Sequence, residues 1–185
     1  DILSTQSLIR SGKVFDKLMS ALLITKFNFD DLLLMDKNAL FINTRVLAYG
    51  SMYDMKGACP SCGQANSYSV DLAKFETPEV DWSIFTKGQN QYNFTLPKSG
   101  KQLTLKFLTH GDDQILDKEL EGARKLSLTT GIEHDLTTRL RAHIVAVDGD
   151  TSRGVINSTV NDMLGVDSLA LRRYMKVVAP ELDTT

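Results

Sequence analysis

Residues 53–72 constrain the fold more than any other stretch, because sequence with strand character on both flanks is broken in the middle by Cys59-Pro60-Ser61-Cys62-Gly63. Two cysteines separated by two residues, with Pro inside and Gly directly after, form a tight turn that aims both thiolates at one point, as half of a tetrahedral zinc site does. They are the only two cysteines in the chain. A closed structural site takes four ligands, so this half-site needs His, Asp or Glu partners, a second copy on another chain, or no metal at all.

The flanks make the break the tip of a hairpin. Ser67, Ser69 and Asp71 alternate with Tyr68, Val70 and Leu72, a period of two that exposes one face and buries the other. Residues 52–58 supply the partner strand. A second hairpin is expected from residues 91–96 and 102–108, with Tyr92, Phe94 and Leu96 on one face and Leu103, Leu105 and Phe107 on its counterpart. Pro97 and Gly100 supply the turn chemistry between them. The long loop over 76–90 contains the only tryptophan, and Trp82 and Phe85 are expected to pin it.

On either side of this middle third the period is helical. Val14, Phe15, Leu18 and Leu22 form an apolar stripe within residues 4–49. Asp36 is the expected N-cap of a second helix carrying Leu40, Phe41, Val46 and Leu47 and ending at Gly50. Residues 26–35 read as a loop with a short strand or a helical turn. After His110, Asp112 or Asp113 caps a helix to about Leu126, Gly131 separates it from another over 132–147, and Asp148-Gly149-Asp150 marks a sharp turn. Ser152 caps the next helix, with Ile156, Val160, Met163 and Leu164 inward, and Asp167 or Ser168 caps the last, which Pro180 stops. The expected fold class is α+β, helices flanking a small antiparallel region of two hairpins, the first with the CPxCG knuckle at its tip. Its parts are an N-terminal helical part over 1–50, the hairpin region over 51–109 and a C-terminal helical part over 110–185, forming one compact unit.

Composition removes several function classes. The chain has 185 residues, 42% of them hydrophobic and 24% charged, enough to bury a core in one domain or two small ones. Its 21 basic and 23 acidic residues are well mixed, with a net charge of -2, and leave no electrostatic footprint for nucleic acid. The longest apolar runs, Ala21 to Ile24 and Leu32 to Met35, are far too short to span a bilayer, and no secretory signal opens the chain. The expectation is a reducing cytoplasm, with the thiols free or metal-bound. Because the first residue is Asp1 and structured sequence begins at once, the natural N-terminus is expected further upstream.

Each candidate for chemistry has a plain structural alternative. For Cys59 and Cys62 the metal reading names zinc, with His110 as the best-placed third ligand because it ends an expected strand; a histidine there is more often an ordinary surface residue. A C-x-x-C redox site would need its first thiol at a helix N-terminus, and these flanks read as strands. The simplest account is a turn that only shapes the hairpin tip. Asp148-Gly149-Asp150 lacks the late acidic ligand of a calcium loop, and Asp30-Asp31 and Asp112-Asp113 suit the positive ends of helix dipoles. Neither a phosphate-binding loop nor a catalytic triad can be singled out, so no enzyme site is expected.

The order of these features resembles a known family. Asp1-Ile2-Leu3, then Leu8-Ile9-Arg10-Ser11-Gly12-Lys13-Val14-Phe15-Asp16, Asp36-Lys37-Asn38-Ala39-Leu40 to Arg45, Tyr49-Gly50, Tyr53, the cysteine turn and Val70-Asp71-Leu72 resemble the T4-type baseplate hub proteins of contractile-tailed bacteriophages. Leu96-Pro97-Lys98-Ser99-Gly100-Lys101 looks like a hairpin of that family, and Val147-Asp148-Gly149, Arg153 and the final two helices look like its C-terminal half. The resemblance implies a late virion protein without enzymatic activity: a structural or assembly component of the hub. It would act in the host cytoplasm during assembly and in the virion tail baseplate, through contacts with other baseplate hub and central spike proteins. A homo-oligomer is compatible with it; nucleic acid and a membrane span are not expected. The alternative is a zinc-knuckle-containing nucleic-acid-binding or regulatory module, which would need stoichiometric metal beside a basic surface. Lys56 alone is basic near the turn.

Overall fold

A computed structural model describes residues 14–75, 79–130 and 135–178. Among them are six helices, α1 (Val14–Leu22), α2 (Leu34–Tyr49), α3 (His110–Thr130), α4 (Asp135–His143), α5 (Arg153–Asn161) and α6 (Gly165–Val178). The strands are β1 (Met52–Ala58), β2 (Ala65–Asp71), β3 (Tyr92–Thr95), β4 (Gln102–Leu105) and β5 (Ile144–Val147). They form one antiparallel pair, β1-β2, and one antiparallel sheet of three in the order β3-β4-β5. The class is α+β, as expected.

The core sits on the three-stranded sheet. Its central strand β4 puts Leu103 opposite Phe94 and Val147, and Leu105 opposite Tyr92 and Ile144. Successive inward residues two apart line one face, and both leucines are fully buried. Leu140 of α4, Ile156 and Val160 of α5, and Leu171 and Val178 of α6 close over that face. Each such side chain stabilises the fold by about 1.5–3 kcal/mol relative to an exposed one. Tyr92 stacks into an aromatic group with Phe85 at 5.7 Å and Phe107 at 5.0 Å, and burial pushes its hydroxyl pKa up to about 12. A second, smaller cluster of Leu108, Leu116 and Leu120 lies beneath α3, with Leu34 against it.

Strand β5 corrects the expectation of a helix through residue 147 and of two hairpins only. Ile144-Val145-Ala146-Val147 is β-branched and apolar, and it adds to the open edge of β4 with an irregularity where Thr104 faces Ala146 and Leu105 faces Ile144. The Asp-Gly turn that follows is sharp, as expected, with φ of 51° at Asp148 and 84° at Gly149, the pairing that a two-residue connection with right-handed twist demands. The Asp148 carboxylate accepts the Gln102 N–H at 2.8 Å and ties that turn to β4.

Other details differ from the sequence expectation for local reasons. Helix α2 starts at Leu34, and its N-cap position, Leu33, bonds through its backbone instead of Asp36 capping the helix; Gly50 ends it as expected, its N–H reaching Val46 O. In α1 the buried residue is Met19, while Leu18 is half-buried and Leu22 is 49% exposed; the side chain of Phe15 lies outside the described residues. Phe85 pins its loop, but Trp82 is 73% exposed. Ile156 and Val160 face inward with Met163 packed beside them, whereas Leu164 is exposed. Asp167 does not cap α6: its buried carboxylate accepts the N–H groups of Lys98 at 2.7 Å and Ser99 at 3.0 Å, holding the β3-β4 turn. Pro180 lies outside the described residues.

Candidate functional site

Residues 34–75 form an arm in which no residue is buried. Its base is fixed by backbone. Leu33 bridges Thr109, the Leu34 N–H reaches Leu108 O at 3.0 Å, and the His110 N–H reaches Leu32 O at 2.7 Å. Gly111 allows this approach, because a Cβ there would stand 3.1 Å from Asp30 Cβ and 3.2 Å from Asp30 O. Beyond its first turn α2 runs outward and meets the short 3-10 turn Leu72–Lys74.

A polar cluster locks the same base. His110 is 5% exposed, with Nε2 3.0 Å from Asp16 Oδ1 and Nδ1 3.1 Å from Lys37 Nζ, so one imidazole joins α1, α2 and α3. Gln114 adds a contact to Nε2 at 3.0 Å, and Lys37 reaches Asp113 at 3.4 Å. Thr109 begins α3 through a reciprocal cap: the Asp112 N–H donates to Thr109 Oγ1 and the Thr109 N–H to Asp112 Oδ2. Burial works against the Asp112 carboxylate, yet Lys106 at 2.7 Å and the Thr109 donors hold its pKa below the usual range.

At the far end of α2, Arg45 joins helix to hairpin. Its guanidinium donates to Gly50 O at 3.0 Å and Met52 O at 3.4 Å, and lies 4.9 Å from the Tyr49 ring centre and 5.5 Å from that of Tyr53. In the hairpin, Tyr53 faces Val70 and Met55 faces Tyr68, giving one apolar face; Asp54 with Ser69 and Lys56 with Ser67 give a polar one. The alternation expected from sequence is present. Little covers it: Arg45 lies over Tyr53 and Val70 is half-buried, but all of β1 is exposed, as are Tyr68, Phe41, Leu47 and Tyr49.

The hairpin tip carries Cys59 and Cys62. The Cys59 N–H reaches Gln64 O and the Gly63 N–H reaches Cys59 O, both at 2.8 Å, with Gly63 at φ 72°. The backbone N–H of Cys62, then that of Ser61, and the Cys62 thiol bond to the Cys59 sulfur and hold its pKa below the ordinary thiol value. Cys59 is partly covered and Cys62 exposed, and neither is in a disulfide. His110, the third ligand considered from sequence, is instead the first residue of α3 and engages Asp16 and Lys37. Among the described residues no group of three or more His, Cys, Asp or Glu is placed to hold a metal.

The sequence model of the family described as "T4 bacteriophage base plate protein" matches residues 5–126. The chain belongs to that family. No curated protein and no solved structure matches it. As a member, this baseplate protein is a structural component of the phage tail baseplate, with other baseplate proteins as its partners, and the family speaks for a structural role over a catalytic one. No helix among its described residues is long and apolar enough to cross a membrane. The matched segment takes in the whole arm and its base but stops within α3, before α4, β5, α5 and α6. The family match therefore covers the exposed region in full and only part of the buried core.

Proposed function

We propose that the chain is a component of the baseplate hub that works by protein-protein contact while the tail is assembled in the host cytoplasm, binding other hub proteins and the central spike. The observation that carries this reading is the arm: from residue 34 to 75 nothing is buried, yet Phe41, Leu47, Tyr49, Met52, Tyr53, Met55 and Tyr68 are all exposed. Apolar area held out on an anchored helix and hairpin is what a contact surface needs, and an enzyme cleft is not. Family membership supplies the class of partner. The mixed charge of the chain and the uncharged character of these side chains speak against nucleic acid.

Co-expression with the other hub proteins and affinity capture tests the reading. A defined complex is expected, and Leu47→Lys, at an 88% exposed position in the last turn of α2, should weaken capture without lowering stability. Recovery of no baseplate component would overturn the hub assignment. Undiminished capture by Leu47→Lys would move the contact off α2.

A further inference from the structure

The β1-β2 hairpin lacks what a two-stranded sheet ordinarily needs to stay formed. Among the described residues neither of its outer edges is paired, no strand stacks on it, and its apolar face keeps Tyr53, Met55 and Tyr68 exposed with Val70 half-buried. An isolated pair of strands is marginal in water unless a further layer, a disulfide or a metal holds it. The tip has the chemistry for the last of these. Its turn is closed by two backbone hydrogen bonds, from the Cys59 N–H to Gln64 O and from the Gly63 N–H to Cys59 O, and Gly63 takes the left-handed conformation that lets Cys62 fold back. A tight Cys-x-x-Cys turn of this kind is half of a tetrahedral thiolate site.

The chain has no further cysteine, and its described residues hold no third ligand beside the pair. We propose that the hairpin tip is half of a tetrathiolate zinc site, completed by Cys59 and Cys62 of a second copy of this chain. A two-fold axis through the metal brings an identical pair to the opposite side and gives the four sulfur ligands of a closed structural zinc site. The same operation sets hairpin beside hairpin, so their apolar faces gain a cover that one chain does not give them, while the exposed Phe41, Leu47 and Tyr49 of α2 stay available to the hub proteins. Zinc binding displaces the thiol protons and leaves the metal at +2 with four thiolates, with no change of oxidation state.

The test is metal content and solution mass of the intact chain, purified with reductant and zinc sulfate. The expected result is half a zinc ion per chain in a dimer, which a chelator converts to zinc-free monomer. Cobalt in place of zinc should give the thiolate charge-transfer and tetrahedral ligand-field absorption of a four-sulfur site, a readout on the unmutated protein. The pair Cys59→Ser and Cys62→Ser should abolish both metal and dimer yet keep the main cooperative melting transition, because the tip belongs to neither buried cluster. One zinc per monomer, a zinc-free monomer, or a dimer indifferent to chelator and to the serine pair would each overturn the proposal.

Discussion

The arm over residues 34–75 and the core over residues 92–178 are built from the same kinds of residue and use them oppositely. Leu103 and Leu105 in β4 are fully buried, while Leu47 in α2 is 88% exposed and Met55 in β1 is 42% exposed. The hairpin of the arm and the β3-β4 pair of the core alternate alike, apolar side chains on one face. The difference is whether the chain itself supplies the opposing layer: α4, α5 and α6 cover one face of the β3-β4-β5 sheet, and among the described residues no buried cluster includes a residue of β1-β2. Amphipathic pattern reports that a face will be covered, and it does not say by which chain.

The widest separation between the two regions should come from truncating leucines. Leu103→Ala removes side-chain volume from the centre of the core and should cost about 2–5 kcal/mol in denaturant unfolding, whereas Leu47→Ala should stay within about 0.5 kcal/mol of wild type. Equal losses at the two positions would erase the distinction.

Next in size is the joint between arm and core. His110→Ala leaves Asp16 and Lys37 without their shared partner and should cost about 1–3 kcal/mol. Proteolytic cleavage within residues 14–50 should rise more than the loss of global stability accounts for. If cleavage rises only in proportion to global unfolding, the imidazole belongs to the core and does not serve as a hinge pin.

A smaller effect should follow pH and trace to His143 and Asp167 in the core. Burial, ahead of the hydrogen bond to Lys106 O, lowers the pKa of His143 below its ordinary 6.5. As pH falls through that value the unfolded chain takes up the proton first, so stability falls with it, and it is restored as pH rises. Asp167 acts lower on the scale. Burial raises its pKa, but the N–H groups of Lys98 and Ser99 and the Ser99 hydroxyl outweigh that and hold it below 3.8, so its contribution is present above this value and lost in stronger acid. Thermal melts from pH 8 to 5 should show the first slope in wild type and a flatter one in His143→Gln. An unchanged slope in that variant would assign the dependence elsewhere.

How much of this the sequence disclosed depended on whether the deciding signal was local. The hairpin at 52–71, the β3-β4 pair, the Gly50 stop and the Asp-Gly turn each rest on residues within a few positions of one another, and each is where the pattern put it. Strand β5 was hidden because four apolar residues after a helical stretch fit a buried helix as well as a strand, and the β-branching of Ile144, Val145 and Val147 was the only cue. His110 was misplaced at a strand end although Thr109 and Asp112 spell a capping box that puts it at the first position of a helix. Its partners Asp16 and Lys37 are distant in sequence, and no spacing rule could join them. The exposure of Phe41 and Leu47 was illegible for a different reason: apolar residues within a helix say that surface will be covered and not by which chain.

Amide hydrogen exchange of the intact protein, alone and bound to its hub partners, tests the central claim most directly. The account predicts that α2 over residues 34–49 exchanges far faster than β4 in the free protein and becomes protected in the complex, while β4 and α6 change little. Protection gained in the core with none on α2 would contradict it.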